Sequence, residues 1–357
     1  MGSSREHQLV VDDQGSLSRI VQLHSEDKDH CAYYYADIVS SAMAGKFPAV
    51  VWVELFAGPG RLWVEPRNSY VDGSPVRAVN VRRPFDLYVF NDLDPQCVAA
   101  LDPRVRRPSD GRVQVLNDDA NSQAITSYLM SHIPKTALVV LYGDPAGLDL
   151  HFETLSRLAG HFPHVDLLLN FPVKQIIRTL RGEAARAARP GQTVPADVRK
   201  AAAVLGHPTP MDLIASGTNR TWGPTIRQWF ENRLRGIGYA CLEMEAIKLH
   251  QRNVAIYDLM IASRESLAVR FFREAIKRGP RPVLAPRLAD GIPLRERGRK
   301  QRVRRRGWAL RAGHHDAPTV GHRVPRSPVE LSTAGLRPAA TPLLEEERDI
   351  LLDAAIT

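Results

Sequence analysis

Cysteine is scarce in this chain and scattered. Cys31, Cys97 and Cys241 are three among 357 residues, odd in number and outside any Cys-x-x-Cys or Cys/His spacing. That pattern supports neither a disulfide framework nor a thiolate zinc site, so buried thiols are expected. His132, His161, His164 and the His314-His315 pair have no partners at ligand spacing, and no metal is expected. Long apolar runs are missing as well: nothing approaches the roughly 18 consecutive residues of a membrane span. The opening MGSSREHQLVVDDQG is polar and acidic, unlike a secretory leader. A cytoplasmic protein with no membrane partner is the expectation.

The formal charge of +9 is unevenly spread, because residues 279–357 carry 15 Lys/Arg against 9 Asp/Glu. Two thirds of the excess therefore lies in the last part of the chain. That part loses periodicity and gains Pro and Arg, including Arg297-Gly-Arg-Lys-Gln-Arg-Val-Arg-Arg-Arg306. Such composition buries too little apolar surface to fold, and the run could bind nucleic acid without sequence preference. Residues 279–340 read as a disordered basic tail. In TPLLEEERDILLDAAI, Thr341 as cap, Pro342 and the acids after it predict a short terminal helix over 341–357.

The rest of the chain alternates short apolar runs with helical or loop segments. Residues 1–16 are expected to be a flexible N-terminus. Within 17–47, Tyr33, Tyr34, Ile38, Val39 and Met43 fall on one helical face, and Gly45 can end the helix. Five runs follow, at 50–56, 86–91, 112–116, 137–142 and 165–170, apolar almost throughout. They read as parallel strands buried on both faces of an α/β sheet. Runs 239–249 and 254–262 are joined by only a few residues, which permits a hairpin and excludes a parallel crossover. The expected fold is a Rossmann-like α/β domain over 17–278, with parallel strands, a C-terminal antiparallel hairpin and a helical insertion at about 173–236.

Ligands of open α/β sheets sit beyond the carboxyl ends of the strands. Here the first strand ends in Glu54-Leu-Phe-Ala-Gly-Pro-Gly60, the second in Asn91-Asp92-Leu93-Asp94-Pro95, the third in Asn117-Asp118-Asp119-Ala120-Asn121 and the fourth in Gly143-Asp144-Pro145-Ala146-Gly147. Gly58 and Gly60 permit close backbone approach. Asp92 can accept hydrogen bonds from a ribose diol, and Asp119 from an exocyclic amine. Each motif alone has a plainer explanation as a turn or a helix cap; the order of all four points to one nucleoside-containing ligand.

A dinucleotide fingerprint needs GxGxxG opening directly into a helix with an acid about 20 residues on. The best helix start after this glycine turn is Ser74 with Pro75, and Asp92 lies further away. A P-loop needs GxxxxGK[ST], and the Lys is missing. The remaining fit is S-adenosyl-L-methionine on a class I methyltransferase sheet. The strings ELFAGPGR, DGSPVRAV, NDLDP, NDDAN, YGDPAGLDL and DLLLNFP resemble the three-Cys-motif partner family of methyltransferase-like proteins, over about residues 20–275.

That resemblance implies that Glu54, Phe56, Ala57, Gly58 and Gly60 face the methionine part of the cofactor, Asp92 the ribose, and Asp119 with Ala120 the adenine. It also implies a three-Cys-motif protein as partner. Asp144 and Pro145 resemble the Asp/Asn-Pro-Pro-aromatic turn of amino-group methyltransferases, with Ala146 and Gly147 in place of the second proline and the ring. Asp144 would orient or deprotonate the nucleophile. Phe171 is a substitute ring, and Asn170 is either a site residue or a helix cap. Lys174, Arg178 and Arg181 recur at helical spacing, as phosphate contacts of a nucleic-acid substrate or as a solvated face. Two other readings stay open: a non-catalytic binding protein that keeps the fold, and a metal-dependent nuclease using Asp92, Asp94, Asp118, Asp119 and Asp144.

Overall fold

The structure, a computed structural model, describes residues 8–106, 111–187, 196–215, 217–218, 220–249 and 254–278. The tail 279–340 and the helix expected at 341–357 lie outside the described residues. The chain opens with strands β1 (Leu9–Val11) and β2 (Leu17–Val21), paired antiparallel, and then helix α1 (Leu23–Met43). The helix expected around Tyr33–Met43 is α1. Leu9–Val11 falls in the segment expected to be flexible, and Leu17–Val21, ahead of the helix, is a strand that was not expected. The cause is tertiary: β2 pairs with a later strand, and its Ile20 and Val21 are buried, so packing overrides local pattern.

After α1 come β3 (Val50–Glu54), the hairpin β4 (Arg61–Val64) and β5 (Ser69–Asp72), and α2 (Ser74–Val79). The hairpin turns on Asn68 in the left-handed region at φ 50°, a conformation Asn tolerates better than most residues. This hairpin was not expected from the sequence, whereas α2 starts at Ser74 and Pro75 as expected. Together β1-β2-β4-β5 form a small four-stranded sheet beside the main one.

The chain continues through β6 (Leu87–Asn91), α3 (Pro95–Val105), β7 (Val113–Leu116), α4 (Gln123–His132), β8 (Leu138–Gly143), α5 (Phe152–His161) and β9 (His164–Phe171). Helices α6 (Val173–Ala187), α7 (Ala196–Leu205), α8 (Asp212–Ala215) and α9 (Trp222–Gly236) follow, then β10 (Cys241–Leu249), β11 (Val254–Ser263) and α10 (Ser266–Arg278). The main sheet has the order β10-β11-β9-β8-β3-β6-β7. Its five first strands are parallel, and β11 and β10 close it antiparallel. This is the α/β, Rossmann-like class I methyltransferase arrangement expected from the sequence.

Alternation along the strands explains the two cores. Val51, Val53, Val139 and Leu141 face α4 to α7 and α9, whereas Val50, Trp52, Val140 and Tyr142 face α1, α2, α3 and α10. Both faces are covered, so the strands carry no polar face to reveal their period. The strand order reverses between β3 and β8, and the crevice at such a switch point is where ligands bind.

Candidate functional site

A cavity of about 640 Å³ opens at the carboxyl ends of β3, β8 and β9. Its floor on one side is the turn after β3, where Gly58 and Gly60 both adopt left-handed conformations, at φ 64° and 78°. A Cβ on Gly60 would lie 2.7 Å from Leu101 Cδ1, so both backbone shape and space demand glycine there. Gly73 N donates to Gly60 O at 2.9 Å and ties the turn to the start of α2.

The turn is braced from below. Gly58 N donates to Asp92 Oδ2 at 2.7 Å, and Asp94 N donates to Asp92 Oδ1 at 2.9 Å. Arg104, on α3, donates through Nη1 to Pro59 O and to Leu17 O, both at 2.6 Å, and through Nη2 to Asp12 Oδ2 at 2.5 Å. Asp12 also accepts from Ser18 Oγ at 2.9 Å. One guanidinium thus joins the small sheet to the glycine turn.

Glu54 lies under the cavity rather than on its wall. It accepts from Trp52 Nε1 at 2.8 Å and from Ser74 Oγ at 2.9 Å. Burial pushes its carboxyl up to about 8, and those two hydrogen bonds offset part of the rise. Phe56 and Ala57 line the cavity beside the glycines. Asp119 and Ala120, at the end of β7, are not on its wall: Asp119 is exposed and closes a turn by accepting from Asn121 N at 2.9 Å, and Ala120 is buried.

Three charged wall residues come from the N-terminal elements and were not anticipated. Arg19, on β2, has its Cζ 3.6 Å from where a Gly58 Cβ would stand, and its buried Nε has no hydrogen-bond partner. Lys28 and Asp29 sit on α1. Lys28 is ion-paired to Asp144 Oδ2. Burial alone works against its ammonium, but Asp144 and Asp29 outweigh that and hold its pKa above the ordinary lysine value. Burial pushes the Asp29 carboxyl up to about 6, Lys28 opposing the rise. The dense stretch His24-Ser-Glu-Asp-Lys-Asp-His30 was a visible signal, since charges inside a helix that must cover a sheet need partners.

Across the cavity, the end of β8 supplies Asp144 and Pro145, and the end of β9 supplies Asn170. Gly143 has no room for a side chain, because a Cβ would stand 2.6 Å from Leu150 Cδ2. Asn170 Nδ2 donates to Asp144 Oδ1 at 2.8 Å, so Asn170 lines the cavity beside Asp144. Its Oδ1 is buried without a donor. Lys174 and Arg178, on α6, complete this wall, and burial lowers the Lys174 pKa, Asp258 opposing the fall.

The ring expected of Phe171 is not at the site. Phe171 is buried and stacks on Phe230, with centroids 4.4 Å apart and planes 12° from parallel. Strand alternation turns it into the core, away from the cleft side chain of Asn170.

Similarity to known proteins is slight. No model of a known protein family matches the chain, and no curated protein does. Among solved structures, a protein from Legionella pneumophila str. Philadelphia 1 has 14% identity and a TM-score of 0.41, covering 67% of this chain and 86% of its own. An O-methyltransferase from Bacillus cereus, solved with SAH, has 8% identity and a TM-score of 0.38 over 66% of this chain and 80% of its own. A spermidine synthase from Thermotoga maritima has 8% identity and a TM-score of 0.40 over 76% and 74%. The fold class follows from strand order and direction.

Three arginines of α9 have structural partners. Arg227 pairs with Asp258 at 2.6 Å, Arg233 lies over the Phe152 ring at 4.4 Å, and Arg235 donates to Ala240 O. Cys31 and Cys97 are buried, their thiols pushed up to about 12 and about 11 by burial. Among the described residues no three His, Cys, Asp or Glu side chains gather as a metal set. No described helix is long and apolar enough to cross a membrane.

Proposed function

We propose that this chain is an S-adenosyl-L-methionine-dependent methyltransferase, and that its recurrent strand-end strings make it a member of the three-Cys-motif partner family. The observation that carries the reading is the pair of left-handed glycines flooring a cavity that runs on to Asp144 and Asn170.

The residues present fit the cofactor. The amino-acid end would lie over Gly58, its carboxylate on Arg19, whose Nε is otherwise without a partner, and its ammonium on the buried Asp29 carboxylate. The ribose would lie toward Asp92. Each oxygen of Asp92 holds one backbone donor and keeps acceptor capacity. The adenine would extend toward Asp119 and Ala120, against Leu93, which is 69% exposed beside Asp92.

When bound, the cofactor supplies an electrophilic methyl on a sulfonium. The protein's part is to hold a nucleophile in line with that methyl. Asp144 is fixed by Lys28 and Asn170, so it orients the nucleophile by accepting its hydrogen. Burial holds the Glu54 carboxyl up at about 8, which disfavours a negative charge under the cavity.

One observation favours a second reading. Both Asp144 oxygens already have partners, as they would in a binding protein that keeps the fold without transfer. Tritiated cofactor incubated with the protein and fractionated DNA, RNA and protein separates the two. Label in one fraction, lost in Asp144→Ala, supports transfer; retained cofactor binding with every fraction unlabelled supports the binding protein.

A further inference from the structure

The half of the cavity beyond Asp144 is built for a ligand that carries both hydrogen-bond donors and an anion. Asn170 is 9% exposed, and its amide orientation is fixed because Nδ2 donates to the Asp144 carboxylate at 2.8 Å. Its Oδ1 is then an acceptor, buried without a donor, on a residue that lines the cavity. A buried acceptor left unsatisfied costs about 1–3 kcal/mol, so a native structure keeps one for a reason. Asp144 Oδ1, bonded to the same amide, keeps lone-pair capacity. Two acceptors side by side match the two N–H groups of a primary amine, whereas a hydroxyl has one hydrogen to give.

Three residues further on, α6 begins at Val173, and its 15 residues run from this wall. The first turns of such a helix offer backbone N–H groups and a positive dipole end. Lys174 and Arg178 lie one turn apart on it, both line the cavity, and neither forms a salt bridge with a described carboxylate. Beyond Arg178 the groove continues into a second cavity of about 240 Å³, which shares Gln175 and Arg178 with the first.

We infer that the methyl acceptor is a phosphate-bearing compound with a primary or exocyclic amino group, the phosphate seated between Lys174, Arg178 and the start of α6, and the amino group against Asn170 Oδ1 and Asp144. This rests on the methyltransferase reading of the same site. In the transfer step the amino nitrogen forms the new N–C bond as the S–C bond breaks. The sulfonium becomes a neutral thioether, and the displaced amine proton leaves to water.

Binding is tested with single-stranded oligo(dA), which carries amino groups and phosphates, oligo(dT), which carries phosphates alone, adenosine 5′-monophosphate and adenosine. Oligo(dA) and oligo(dT) should both bind, and Lys174→Ala/Arg178→Ala should weaken both by tenfold or more. The same variant should lower the salt slope by roughly 0.7 per lost phosphate contact. Asn170→Ala should leave oligo(dT) affinity unchanged, weaken oligo(dA), and abolish tritium transfer from the cofactor. Asn170→Ser, smaller but still polar, is the second variant if Asn170→Ala does not fold. Adenosine 5′-monophosphate binding as tightly as oligo(dA) identifies the mononucleotide as the source of the phosphate, and tighter oligo(dA) binding identifies a strand.

Adenosine binding as well as its monophosphate, or the double variant binding both oligomers unchanged, overturns the inference. Cofactor affinity is measured in parallel by calorimetry. Absence of cofactor binding with phosphate binding intact would refute the methyltransferase reading, and intact cofactor binding with indifferent oligomers would refute the acceptor alone.

Discussion

The two halves of the cavity are built in opposite ways. The half under β3 and β6 is backbone: a glycine turn fixed by Asp92 and by Arg104, which reaches the turn, β2 and Asp12 at once. The half under β8 and β9 is side chain: Asp144, Asn170, Lys174 and Arg178, with one buried acceptor left open. A rigid surface made of backbone suits a ligand that is always the same. A surface of charged and unsatisfied groups suits one recognised by its functional groups.

The largest test of this contrast is Gly60→Leu, which must force a side chain into Leu101 from a left-handed backbone. Displacing the turn by about 1 Å should weaken cofactor binding by roughly a hundredfold, measured by calorimetry, while oligo(dT) affinity holds. Lys28→Met comes next, since it strands Asp144 and Asp29 without their ammonium. Breaking such a buried pair should destabilise the fold by about 3–5 kcal/mol in denaturant unfolding; little change would mean that the pair is not formed in solution.

A smaller effect comes from Glu54. Its folded carboxyl, at about 8 against 4.5 unfolded, binds its proton more tightly in the fold. Stability is therefore highest below the unfolded value and falls as pH rises from about 4.5 to about 8. Glu54→Gln should flatten that decline. Asp29 should act in the same direction on stability and the opposite one on binding. As pH falls through about 6 it loses its charge, and cofactor affinity should drop severalfold in wild type and stay flat in Asp29→Asn. The smallest effect at the site is that of Phe171→Leu, which should lower stability through the lost Phe230 stack and leave oligo(dA) affinity unchanged. A selective loss of oligo(dA) binding would restore Phe171 to the acceptor site.

The main sheet was legible because its strands are buried on both faces, so each reads as a short apolar run. The glycine turn and the Asp144 turn were legible because strand ends carry ligands in such sheets. The small sheet was not: β1 and β2 owe their form to β4, more than forty residues on, and the Arg61–Val64 strand buries only Leu62 and Val64. Arg19 was missed for the same reason, since its place at the site depends on that pairing; Lys28 and Asp29 reach the site from α1, through the ion pair of Lys28 with Asp144. Phe171 was misplaced because neighbours on a strand face opposite ways, and only the structure fixes which of Asn170 and Phe171 meets the cleft.

Calorimetric titration of S-adenosyl-L-methionine into the wild-type protein and into Gly58→Trp tests the central claim most directly. Wild type should bind with a Kd on the order of micromolar, about −8 kcal/mol, and Gly58→Trp, its turn blocked beside Arg19, should release no heat. No heat from the wild type at high protein concentration, or undiminished binding by Gly58→Trp, would contradict it.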